Sequence, residues 1–120
     1  MAGVDFITYK GKRILYEDYS GCKPQELLPL LETARKIISA EPQGSVLALV
    51  NVKGSTFDKN VSNAMKEFVK ANTPHIKVSA VYGVEGLMEV IFKGIIAFTG
   101  RDNLKLFRTL EEAKDFLAAF

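Results

Sequence analysis

The chain has 120 residues, 48% of them hydrophobic and 25% charged, a size and balance that fit one globular domain and exclude disorder. Sixteen basic residues against fourteen acidic ones leave a formal charge of +2, too little for an electrostatic footprint on nucleic acid. Cys22 is the single cysteine, so no internal disulfide can form, and a reducing compartment is expected.

Phe6–Tyr9 reads as a short strand, Lys10-Gly11-Lys12 as a turn, and Arg13–Tyr19 as a second strand. The connection is too short for a parallel crossover, so an antiparallel hairpin is expected. From Pro24 to Ala40, Leu27, Leu31, Ala34 and Ile38 recur at helical spacing. Pro29 interrupts this stripe. A loose opening turn over Pro24–Leu28 and a regular helix from Pro29 are expected, because proline is tolerated only in a helix's first turn.

Val46–Val50 is continuously apolar, the signature of a strand covered on both faces. Phe57, Val61, Ala64, Met65, Phe68 and Val69 form the next amphipathic helix, closed by Ala71-Asn72-Thr73-Pro74. Lys77–Tyr82 is a further strand, Gly86–Phe98 a third helix and Leu104–Phe107 a last strand. Thr109-Leu110-Glu111-Glu112 is a capping box that starts the C-terminal helix, with the Glu112 carboxylate expected to reach back. The order ββαβαβαβα predicts an α/β domain over residues 1–120, its mixed, mostly parallel sheet opened by an antiparallel hairpin.

The stretch "LALVNVKGSTFD" joins the most buried strand to a helix start. Ligands of open α/β sheets usually meet the loops at the carboxyl ends of parallel strands, and a helix start suits anions. A structural reading competes: Ser55 and Asp58 have capping-box spacing, with Gly54 turning the chain. Neither the Gly-x-x-x-x-Gly-Lys-Ser/Thr nor the Gly-x-Gly-x-x-Gly pattern occurs here, which argues against nucleotide hydrolysis.

The greasy stretch "GLMEVIFKGIIAFTG" leaves only Glu89 and Lys93 to mark a polar stripe. Something beyond the sheet is expected to cover it: the C-terminal helix, a protein partner or second copy, or a small apolar ligand held beneath. The stretch is too short and too charged to span a bilayer. Met1-Ala2-Gly3-Val4-Asp5 has neither the basic start nor the apolar core of an export signal, and a cytoplasmic location is expected.

No side-chain constellation points to catalysis. A Cys22–His75 pair lacks a third, orienting residue, and too few Cys and His exist for a zinc site. Glu17 and Asp18 are adjacent on a strand and point to opposite faces, so they do not form a carboxylate pair. Tyr16, Tyr19, Arg101 and Asp102 are expected at solvated element edges. Arg101, just past the third helix, is either an anion ligand or a helix-terminal cap.

The pattern of elements resembles STAS-type domains, close to the SpoIIAA-like group of small bacterial proteins. The resemblance rests on "ITYKGKRILYEDYSG" as hairpin, "LLETARKII" as helix, "SVLALVNVKGST" as strand and turn, and "LKLF" before the capped last helix. In antagonists of this type a partner kinase phosphorylates a serine at the corresponding turn, which switches binding off. By position, the resemblance implies Ser55 or Thr56 as phosphoacceptor, although Lys53-Gly54-Ser55-Thr56-Phe57 departs from the Asp-Ser-Ser/Gly-Leu signature. The expected function is a non-enzymatic interaction domain that needs no cofactor. Its partner surface would comprise Asn51, Gly54, Ser55, Thr56, Phe57, Met88, Phe92 and Ile95. The alternative is a carrier of a small lipid-like or anionic ligand, an option the resemblance keeps open because the SpoIIAA-like group is often grouped with lipid-transfer domains.

Overall fold

The computed structural model describes residues 2–120. Nine elements follow one another: β1 (Gly3–Tyr9), β2 (Lys12–Asp18), α1 (Pro24–Ser39), β3 (Val46–Asn51), α2 (Lys59–Asn72), β4 (Ile76–Tyr82), α3 (Leu87–Thr99), β5 (Leu104–Phe107) and α4 (Leu110–Ala118). The five strands lie side by side in chain order. β1 and β2 are antiparallel, and every later pair is parallel. The expected mixed sheet and element order are therefore present.

The topology dictates the layering. Each parallel step β2–β3, β3–β4 and β4–β5 advances the sheet in the same direction. Right-handed crossovers must then place α1, α2 and α3 on one face. That face buries Leu15, Ala48, Val50, Val81 and Leu104 beneath Leu27, Leu31 and Ile38 of α1, Val61, Met65 and Val69 of α2, and Phe92 and Ile95 of α3. The chain then turns back, and α4 packs Ala113 and Leu117 on the opposite face against Ile14, Leu47, Leu49, Val78 and Ala80. β3 lies at the centre with all six residues buried, which is why its sequence is apolar without alternation.

Three expectations need correction. α1 begins at Pro24, and Pro29 lies inside it as the sixth residue. The helix starts early because Pro24 has a preset φ and because the Glu26 carboxylate accepts the Lys23 backbone N–H at 2.9 Å. Pro29 faces solvent there, at the cost of one hydrogen bond to the Gln25 carbonyl. At α4, the Thr109 hydroxyl accepts from the Glu112 N–H at 3.1 Å as expected, but the Glu112 carboxylate meets that hydroxyl, not the Thr109 backbone.

The C-terminal helix does not cover α3. The neighbour of α3 is α2, whereas α4 lies across the sheet and cannot shield it. Leu87, Val90 and Phe98 are 76%, 66% and 56% exposed, so a large part of the greasy helix faces outward. The Lys66 and Lys70 ammoniums stand 5.5 and 6.0 Å from the centre of the Phe98 ring. No helix among the described residues is long and apolar enough to cross a membrane.

Pro29 generates a stability prediction. An interior proline costs about 3 kcal/mol, of which up to about 1 kcal/mol is offset because proline also restricts the unfolded chain. Pro29→Ala is expected to raise the unfolding free energy by about 2 kcal/mol. A higher urea midpoint at unchanged m-value checks this.

Candidate functional site

The loops at the carboxyl ends of the parallel strands are laced into one surface. Gly21 N–H donates to the Lys53 carbonyl at 2.9 Å, Thr56 N–H to the Cys22 carbonyl at 2.9 Å, and Val52 N–H to the Tyr82 carbonyl at 2.9 Å. Residues 19–23, 52–58 and 82–86 thus hold one another. The third strand-end loop approaches so closely that a Cβ on Gly83 would lie 2.4 Å from the Lys53 nitrogen, and its φ of +93° also demands glycine. Gly54, at φ +71°, turns the chain after β3.

A groove of about 220 Å³ runs between this loop and the first half of α3, lined by Ser55, Thr56, Phe57, Glu85, Leu87, Met88 and Ile91. The Phe57 ring packs 5.9 Å from that of Phe92 and fastens the loop to α3. On the rim, the exposed Lys53 and Glu85 form an ion pair. The structure thereby brings Ser55, Thr56, Phe57 and Met88 of the expected surface together, beside Gly54.

The remaining expected members lie elsewhere. Phe92 and Ile95 are buried under α3 because helical periodicity turns them toward the sheet. Asn51 is buried on the α4 face, where its Nδ2 donates to the Tyr16 hydroxyl at 3.0 Å and its Oδ1 accepts from Lys53 N–H. The capping-box reading of Ser55 is also overturned. α2 starts three residues later than that reading requires, and its cap is Asp58, which accepts the Val61 N–H at 2.8 Å. The Ser55 hydroxyl instead donates to the Val52 carbonyl at 2.8 Å. Thr56 is exposed.

Cys22 and His75 occupy opposite ends of the sheet. Cys22 is buried in the loops after the strands, where burial pushes its thiol pKa up. His75 precedes β4, its Nδ1 2.8 Å from the Glu41 carbonyl. Hydrogen-bonding reach between them is geometrically excluded.

A second constellation lies in the interior. Beneath α2 and α3, Glu17, Asn72, Ser79 and Arg101 line a chamber of about 30 Å³ whose other walls are apolar, among them Met65, Val69 and Phe92. All four polar residues are more than nine-tenths buried. The buried Tyr19 hydroxyl donates to the Glu17 carboxylate at 2.8 Å. Arg101 donates through Nε to Asn103 at 2.8 Å and through Nη2 to Ser79 at 3.1 Å.

Tyr19 and Arg101 thus depart from the solvated edges expected of them. Tyr19 continues the inward alternation of Leu15 and Glu17. Arg101 follows the αL cap at Gly100, which turns the chain back under the helix. Burial raises the Glu17 pKa to about 7, against lowering by the Tyr19 hydrogen bond and the Arg101 charge. The alternation of β2 was the available signal for Glu17, since it shares a face with Leu15. Nothing in the local sequence marked Asn72, Ser79 or Arg101 as its companions.

The chamber is roughly a tenth of an ordinary ligand pocket of about 300 Å³ or more, so an acyl chain does not fit it.

No family model matches the chain, and no curated protein matches it. Among solved structures it is similar to an anti-sigma-factor antagonist (STAS) domain protein from Planctomyces limnophilus. The two share 12% identity and a TM-score of 0.66, over 98% of this chain and 99% of that one. The likeness spans every element from β1 to α4 and shows that the chain has the STAS fold.

Glu17 sets a pH dependence of stability. Its folded pKa of about 7 lies above the ordinary 4.5, so the folded state binds the extra proton between those values. The associated stability is fully present below the unfolded pKa and is lost as pH rises through about 7, a change of about 3 kcal/mol. Glu17→Gln keeps the acceptor for Tyr19 and is expected to flatten that fall. Urea unfolding at several pH values compares the two slopes.

Proposed function

We propose that this STAS-fold domain is a non-enzymatic protein-interaction module that docks a regulatory partner at the groove between residues 54–57 and the start of α3. The observation that carries this reading is the outward apolar edge of α3. Leu87 stands exposed in the groove directly beside a loop that is itself pinned by three backbone hydrogen bonds, and Val90 stands exposed on the same helix. A preformed apolar groove with a polar, hydroxyl-bearing rim is the usual make-up of a protein-docking patch. Among the described residues no acid or base is hydrogen-bonded to the Ser55 hydroxyl, whose partner is a backbone carbonyl, which supports a binding role over a catalytic one.

The same rim supports a phosphorylation switch at Ser55 or Thr56. Thr56 is the more accessible, whereas Ser55 must first release the Val52 carbonyl. A phosphate here would place close to two negative charges on the rim of an apolar contact, and the cost of desolvating them disfavours a partner docked over it. Likeness to the antagonist domain from Planctomyces limnophilus makes a protein kinase or anti-sigma-type regulator the partner class to test first.

Self-association through α3 is the second reading, favoured by the exposure of Leu87 and Val90. Light scattering across concentration separates it from docking of a different protein.

Two substitutions test the groove. Leu87→Asp alters an exposed side chain and is expected to leave stability unchanged while weakening partner binding at least about tenfold, or about 1.4 kcal/mol. Thr56→Glu is expected to weaken it similarly. Calorimetry with the captured partner measures both; unchanged affinity in the two variants would remove the groove from the reading. Intact-mass measurement of protein from its native cell under several growth conditions tests the modification itself, and a mass without phosphate throughout counts against the switch.

A further inference from the structure

The interior chamber has polar groups without partners. Arg101 uses Nε and Nη2, which leaves Nη1 without a protein acceptor. One Glu17 oxygen accepts from Tyr19, and the other has no protein donor. The Asn72 side chain lines the same space without a protein hydrogen bond, although the residue is only 4% exposed. Every fully enclosed side-chain nitrogen and oxygen among the described residues is hydrogen-bonded, so these free atoms border open space. Glu17 and Arg101 both line that space yet form no direct ion pair.

Such an arrangement costs free energy unless something fills it. A buried guanidinium is tolerated when it is paired, and a buried polar atom when it is hydrogen-bonded. The chamber offers about 30 Å³ against the roughly 10–15 Å³ that one water requires, so its guest has only a few heavy atoms. Guanidinium N–H groups match carboxylate oxygens geometrically. The carboxyl of Glu17, which lines the same chamber, donates to that anion when protonated. Val69, Met65 and Phe92 supply a wall for a methyl group.

We propose that this chamber is a binding site for a small monocarboxylate of formate or acetate size, held between Arg101 Nη1, the Asn72 amide and the carboxyl of Glu17. Among the described residues no other charged side chain lines it. β3 contributes Val50, α1 Ile38, α2 apolar side chains and Asn72, β4 Ile76, Ser79 and Val81, α3 Phe92 and β5 Leu104, while Tyr19 bonds Glu17 from just past the end of β2. The site is separate from the outer groove, and binding here stands or falls independently of partner docking.

The test is an NMR titration of the full-length, ¹⁵N-labelled chain with sodium acetate at constant ionic strength, with sodium chloride as control. Saturable shifts of the Arg101 Nε–H and the Asn72 side-chain amide are expected with acetate and not with chloride. Since a second carboxylate repels the guest, affinity is expected to fall about tenfold from about pH 6 to about pH 8. Glu17→Gln is expected to bind equally at both. Arg101→Gln is expected to lose at least tenfold in affinity. If that variant does not fold, Asn72→Leu, which keeps the side chain's branched shape and removes the amide donor, is expected to lose as much. Shifts that chloride reproduces, shifts absent with acetate because the chamber holds water alone, or wild-type affinity independent of pH would each overturn the proposal.

Discussion

The complete burial of β3 is the constraint from which the rest of the structure follows. Six consecutive residues without an exposed side chain require a strand neighbour on each edge and a covering layer on each face. β2 and β4 supply the edges in parallel register, from Leu15 against Ala48 to Asn51 against Tyr82. Parallel neighbours force helical crossovers, and their common handedness sends α1, α2 and α3 to one side. α4 is the only helix left for the other. The same geometry sends all three strand-end loops to one rim, where the β2–α1, β3–α2 and β4–α3 connections meet and hydrogen-bond one another.

This division of helices leaves the two sides of α3 with different tasks. Its inner residues Phe92 and Ile95 close the main core. Its outer residues have no helix beyond them, because the one helix that might have covered them was needed across the sheet. An apolar edge beside a rigid rim is therefore a product of topology. It places the hydroxyls of Ser55 and Thr56, the Lys53–Glu85 ion pair and exposed Leu87 within one small region, the surface on which the proposed docking rests.

The interior answers to a different rule. A carboxyl and a guanidinium inside an otherwise apolar core each forfeit hydration, and here they do not recover it from one another directly. Instead each is held by a neighbour: Glu17 by Tyr19 just past the end of β2, Arg101 by Ser79 and Asn103 from β4 and the α3–β5 loop. The consequence is a chamber with matched polar walls and a titrating group near neutrality. Because Arg101 follows the last turn of α3, the interior and the outer edge share that helix as a common wall.

Much of this was legible in the residues before any coordinates. Period-two and period-3.6 patterns, the short hairpin turn, the unbroken apolar run of β3 and the Thr109 capping signal together determined element order, sheet type and fold class, because each depends on neighbours a few positions away. The hydroxyl-bearing turn after β3 was also legible, as a polar break following a buried strand. Local spacing does not place the start of α1, because an exposed Pro29 tolerates a lost hydrogen bond inside the helix, and it favours Ser55 where the structure uses Asp58 as the cap. Only the tertiary structure decided that α4 leaves α3 uncovered, that Phe92 and Ile95 turn inward while Leu87 turns outward, and that Glu17, Asn72, Ser79 and Arg101 meet. Those four residues lie on separate elements spread over more than eighty positions, and contacts between them arise from sheet order and crossover hand, which no local pattern encodes.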